Sequence, residues 1–149
     1  MKNCFLFGQE DAPESILPKL EAALERYRRQ LGVTRFYVGE DGDFDRMAAA
    51  AVIRLRERYG DVELYLVTSV HPSERSGPPA PGFDGLLYPP LENVPRRYAQ
   101  ERANCYMVDT CHVILCYAPE KAGKEQNLLA YAVHRGWREP IWIENLAFP

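Results

Sequence analysis

The chain has 149 residues, 46% of them hydrophobic, 11% aromatic and 26% charged, values of an ordinary globular domain whose core closes without a metal or a disulfide. Lys and Arg total 18 against 21 Asp and Glu, a net charge of −3, so no basic field gathers phosphate backbones and general nucleic-acid binding is disfavoured. No stretch nears the roughly 18 apolar residues of a membrane span, and the first residues lack a signal-peptide pattern, so a cytoplasmic protein without membrane association is expected.

Cys4-Phe5-Leu6-Phe7, stopped by Gly8, predicts a buried strand. From Pro13 the period changes: Ile16, Leu17, Leu20, Ala23, Leu24, Tyr27 and Leu31 recur at steps of three and four, with Glu21, Glu25, Arg28 and Arg29 between them. That pattern predicts an amphipathic helix, ended by Gly32. Phe36-Tyr37-Val38 reads as a second strand ending at Gly39, and Phe44, Met47, Ala48, Ala51, Val52, Leu55 and Tyr59 form the stripe of a second helix. Residues 62–67 and 112–117 are nearly continuous apolar runs, as parallel strands covered on both faces require.

A helix over about 95–109 precedes the fourth strand; another over 125–135 leads to a last strand at 141–143, where Trp137 and Trp142 are expected to pack over the sheet edge. The alternation predicts one three-layer, Rossmann-like α/β domain with a mainly parallel five-stranded sheet in the order 3-2-1-4-5.

Residues 69–93 interrupt this alternation with Pro72, Pro78, Pro79, Pro81, Pro89 and Pro90 and with Gly77, Gly82 and Gly85. Such a segment is expected to be irregular, either a lid or partner surface or a structural wrap, and Phe83, Leu86, Leu87 and Tyr88 predict that part of it packs down. Cys4, Cys105, Cys111 and Cys116 show no CxxC spacing and are expected to be reduced, structural thiols. His71, His112 and His134 are too scattered for a zinc site.

In an open parallel sheet a ligand sits outside the carboxyl ends of the strands, where the strand order reverses. The loops so placed are 8–11, 39–45, 69–72 and 118–124, with Gly8, Gly39, Gly42 and Gly123 in them. Asn3-Cys4-Phe5-Leu6-Phe7-Gly8, Phe36-Tyr37-Val38-Gly39, Gly42 with Phe44-Asp45-Arg46-Met47, and Asn104 with Met107-Val108-Asp109 together resemble the SLOG superfamily, near its YpsA-like proteins. The resemblance runs in order over most of the chain. It implies a fold shared with the Lonely Guy phosphoribohydrolases and the DNA-processing protein A, and recognition of nucleotides or nucleotide-derived ligands, often by sensors.

Several positions depart from that family. Gly8-Gln9-Glu10 stands where relatives carry Gly-His-Arg, Ala103-Asn104 where they carry Arg-Asn, and Ala122-Gly123-Lys124 where they carry a Gly-Gly turn. The Pro-Gly-Gly-x-Gly-Thr block of the Lonely Guy enzymes is missing, and Lys124-Glu125 only echoes its glutamate. Glu10, Asp11, Glu40, Asp41, Asp43 and Asp45 would crowd carboxylates on two neighbouring strand tips. Such a rim repels a phosphate unless Arg102, Lys121 or Lys124 offsets it or magnesium escorts it; equally, Asp41 or Asp43 simply caps the second helix.

The resulting expectation is a protein that binds a nucleotide-like small molecule, with altered phosphate contacts; the sequence leaves its cofactors open, magnesium arriving with the nucleotide being the one named. Its crevice would be lined by Gly8, Gln9, Glu10, Gly39, Asp45, Asn104, Asp109, Gly123 and Lys124. The glycines would admit the ligand, Gln9 and Asn104 would bond a base or ribose, and Lys124 would meet a phosphate. Asp45 and Asp109 would do this or instead hold loops by accepting backbone amides. The rival readings are a nucleotide N-glycosidic hydrolase and an interaction module without a ligand; a homo-oligomer fits any of them.

Overall fold

The structure is a computed structural model that describes residues 2–119 and 123–148. Its elements run β1 (Lys2–Gly8), α1 (Leu17–Leu31), β2 (Val33–Val38), α2 (Gly42–Arg58), β3 (Glu63–Val67), β4 (Gly85–Leu87), α3 (Arg96–Thr110), β5 (Val113–Tyr117), α4 (Lys124–Gly136) and β6 (Trp142–Asn145). All strand pairs are parallel, in the order β4-β3-β2-β1-β5-β6.

Alternation along β1 sorts the core into two faces. Cys4 and Leu6 join Leu20, Leu24, Phe44, Val52 and Leu64 in the layer covered by α1 and α2. Phe5 and Phe7 join Ala103, Met107, Leu128 and Ala132 in the layer covered by α3 and α4. Both faces of the central strands are therefore dry, which is why those strands are apolar at every position rather than at every second one.

The sheet has six strands rather than the expected five. The five expected strands keep their order, and β4 joins beyond them as an edge strand inside the proline-rich excursion. Its pairing rests on Asp84, whose carboxylate accepts the Leu64 N–H at 2.7 Å and the Arg56 guanidinium at 2.8 Å, while its own N–H donates to the Leu64 carbonyl. The Thr68 N–H then donates to the Leu87 carbonyl.

Two further details differ from expectation. A 3-10 turn (Glu14–Ile16) precedes α1, which begins at Leu17 rather than at Pro13. Trp137 and Trp142 do sit at the β6 edge of the sheet, but they are 76% and 48% exposed and cover little. The four cysteines are free, and burial pushes the Cys111 and Cys116 thiols up to about 12. No described helix is long and apolar enough to cross a membrane.

Candidate functional site

The connections leave β1 through α1 toward β2 and later return to its other side as β5, so the strand order reverses between β1 and β5. Outside a parallel sheet this gap is where a ligand fits. Gln9 spans its floor: its N–H donates to the Tyr117 carbonyl at 3.2 Å, and its own carbonyl accepts from Ala12. On one wall stands Glu10 and on the other Lys124, the first residue of α4, with 3.8 Å between Oε1 and Nζ. Gly123 before it has φ 127 and ψ 175, a backbone state that side chains rarely tolerate, and among the described residues no side chain caps the helix that follows. Lys121 and Ala122 lie outside the described residues.

The β1 and β2 tips are bolted together. The Asp43 N–H donates to the Glu10 carbonyl at 2.6 Å, and Gly42, at φ 85, lies so close that a Cβ there would sit 2.6 Å from the Glu10 Cα. A Cβ at Gly8 would lie 2.5 Å from the Phe44 ring, and one at Gly39 would lie 2.8 Å from an Asp45 carboxylate oxygen. The space that these two glycines leave is thus taken by α2, not held open for a ligand.

The acidic rim is largely paired. Glu40 forms a two-pronged ion pair with Arg75, Asp43 pairs with Arg46, and Glu10 faces Lys124. Asp41 and Asp43 make no side-chain cap on α2; instead the half-buried Asp45 carboxylate reaches back to accept the Asp41 N–H at 3.1 Å. Burial pushes the Asp45 carboxyl up to about 7, against the opposing pull of that N–H and of the Lys124 and Arg46 charges. Among the described residues no group of three or more His, Cys, Asp or Glu is placed to hold a metal ion.

Two expected site residues lie elsewhere. Asp109 is in the last turn of α3, just ahead of β5 and therefore at the amino edge of the sheet, where its carboxylate accepts the Tyr131 hydroxyl at 2.9 Å instead of a backbone amide. Asn104 lies midway along α3 and accepts from Gln100, which in turn accepts from Ser69 behind β3. Gly8, Gln9, Glu10, Gly39, Asp45, Gly123 and Lys124 do come together at the carboxyl edge. Beside Asp109 the outer layer holds a shallow groove of about 340 Å³ between α3 and α4, lined by Leu91, Val94, Arg102, Cys105, Asp109 and Tyr131.

Neither the models of known protein families nor the curated proteins give a match to this chain. The site is therefore read from its own geometry.

Arg75 is the residue that sequence reasoning missed. It reaches from the excursion to Glu40 and also donates to the Thr68 hydroxyl and the Gly77 carbonyl. A single arginine in a proline-rich segment carries no periodic signal, and only the folded backbone brings it beside the β2 tip.

Proposed function

We propose that the protein recognises a nucleotide-like small molecule at the carboxyl edge of its sheet, over the gap between β1 and β5, as a binding protein kin to the SLOG superfamily. The observation that carries this reading is the reversal of strand order at that gap, with Lys124 and the amino end of α4, which no side chain among the described residues caps, opening beside it. Free N–H groups at a helix start and one cation suit a phosphate or a carboxylate. The turn after β1 is less suited, because Glu10, Asp11 and Glu14 stand there and a proline-led 3-10 turn precedes α1.

Magnesium is not demanded by this site. With Glu40 and Asp43 held by Arg75 and Arg46, the repulsion on an incoming phosphate falls to Glu10, Asp11 and Asp41, and Glu10 has Lys124 beside it. A thermal-shift screen of nucleotides, nucleosides, ADP-ribose and cyclic nucleotides, with and without magnesium, tests the reading, since a ligand of the native state raises Tm. For the best ligand, calorimetry should show Lys124→Ala binding about tenfold more weakly and Glu10→Arg about tenfold more tightly. A screen without a shift, or binding indifferent to both substitutions, overturns it.

One observation favours a second reading, hydrolysis of a nucleotide N-glycosidic bond. Burial pushes the Asp45 carboxyl up to about 7, so protonated and ionised forms coexist near neutral pH, which suits a general acid. Release of free base from nucleoside monophosphates by the wild type, lost in Asp45→Asn, decides for it; no turnover decides against it.

A further inference from the structure

The geometry points to a second ligand site, apart from the carboxyl-edge crevice: the groove between α3 and α4 takes a small zwitterion with an apolar body, its carboxylate on Arg102 and its ammonium on Asp109. At about 340 Å³ the groove falls at the low end of small-molecule sites, which span roughly 300–1,000 Å³.

Its floor is apolar and set in advance. Leu91 is buried and Val94 half-buried, both packed on the layer that α3 and α4 cover. The turn that carries them is closed by the Val94 N–H donating to the Leu91 carbonyl at 3.0 Å. Tyr106, Tyr131 and the Cys105 thiol complete the walls.

The two ends of the groove carry opposite charges. Arg102 and Asp109 are separated by two turns of α3, about 10 Å along its axis, and share one face with Cys105 between them. Burial raises the Cys105 thiol most, the Asp109 and Glu101 charges raise it further and Arg102 opposes them, so both ends act at the same sulfur. Arg102 is exposed and, among the described residues, has neither an ion pair nor a hydrogen bond, which leaves its guanidinium donors open. Asp109 accepts only the Tyr131 hydroxyl, and a carboxylate has room for further donors. The two do not pair with each other, and the apolar floor between them suits the spacer of one molecule that bears both charges. A plain carboxylate would meet repulsion from Asp109 and Glu101, and a plain amine from Arg102. Beyond Asp109 a smaller hollow holds Arg135, Arg138 and Glu139. Arg135 donates to the Val108 and Cys111 carbonyls and to Glu139, which leaves Arg138 as the cation that competes for Asp109 from outside.

Labelling of Cys105 by methyl methanethiosulfonate at pH 8 reads occupancy, with 6-aminohexanoate as the probe. At about 20 mM the probe should slow labelling at least about fivefold, whereas hexanoate and hexylamine, with one charge each, should slow it less than about twofold. Arg102→Ala and Asp109→Asn should each weaken binding about tenfold, measured against the variant's own rate without probe. Both positions are exposed and asparagine still accepts from Tyr131, so the fold is retained, which circular dichroism verifies. Arg138→Ala should tighten binding, and Lys124→Ala, at the other edge of the sheet, should leave it unchanged. Amide shifts of Leu91, Val94 and Cys105 on titration give a measure independent of the thiol. Absence of both protection and amide shifts overturns the proposal, as does equal protection by hexanoate or hexylamine, binding indifferent to Arg102→Ala and Asp109→Asn, or weaker binding in Arg138→Ala.

Discussion

Glu40 and Arg75 lie 35 positions apart in the chain, yet both guanidinium NH groups meet both carboxylate oxygens, at 3.0 and 3.1 Å. The contact ties the proline-rich excursion to the tip of β2, beside the candidate crevice. Arg75 is only 12% exposed at its side chain and also serves Thr68 and Gly77, so its loss leaves several acceptors unsatisfied. Arg75→Ala should cost about 1–3 kcal/mol in urea unfolding. Limited proteolysis should then cut first within residues 69–81. Arg75→Lys should not restore the wild-type value, because an ammonium cannot span both oxygens.

Gly8 separates two meanings of a glycine at a strand tip. If its lack of a side chain serves α2, Gly8→Ala should destabilise by about 1–3 kcal/mol through the clash with Phe44. Phe44→Leu in the same chain should return part of that loss, a non-additivity that urea titration of the double-mutant cycle measures. Equal and additive losses would mean that the two residues do not share the space.

Asp45 predicts a pH dependence with a definite sign. Its folded value is about 7, while an unfolded aspartate titrates near about 3.9. The native state thus holds a proton that the unfolded state has released, and the contribution is full below about pH 4 and lost as pH rises through about 7. Asp45→Asn keeps an acceptor for the Asp41 N–H and abolishes the ionisation. Its stability relative to wild type should rise between pH 5 and 8 by about 1–2 kcal/mol, discounted for partial exposure. The charged groups facing this carboxyl are Asp41, Arg46 and Lys124, and Lys124→Ala should push the midpoint of the transition still higher.

How far the fold could be read follows from how each element announces itself. The central strands carry four or more apolar residues in a row because helices cover both of their faces, and α1 shows its stripe over four turns. β4 has three residues and no period to detect; it exists because Asp84 and Thr68 clip it to β3. For the site, the loops at strand tips were legible from topology, and Glu10, Asp45 and Lys124 do converge there. Asp109 was misplaced although its position was readable: a residue ending the helix that feeds β5 must lie at the opposite edge. The neutralisation of the acidic rim was not readable, since Arg75 finds Glu40 only through tertiary structure.

Thiol chemistry offers a check on burial. Cys4, Cys111 and Cys116 are buried and Cys105 is half-exposed at the α3–α4 groove. Burial raises every one of the four thiols, and the Asp109 and Glu101 charges push Cys105 up further. Alkylation of the native protein at pH 8 should be slow and confined to Cys105, and all four should react after unfolding without reductant. Mass spectrometry of the labelled peptides reads both counts, and rapid labelling of Cys116 in the native state would contradict the buried β5.

The first strand of the chain is the middle of the sheet, and one of its two neighbours, β5, is made only after β2, β3 and β4. Asn3 bonds to His112, 109 positions later. When synthesis reaches the end of α3, the segments for β1 to β4 and their α1–α2 cover exist, but Phe5 and Phe7 still await the strand and helix that complete their layer. A chain stopped there carries a broad unsheltered face, the kind of intermediate that sticks to its neighbours or to a chaperone. Closing a loop of that length also slows the search for the native pairing. The central layer therefore closes only once β5 and α4 have arrived, and a truncation that reaches β5 removes the centre's support, whereas one confined to β6 trims an edge.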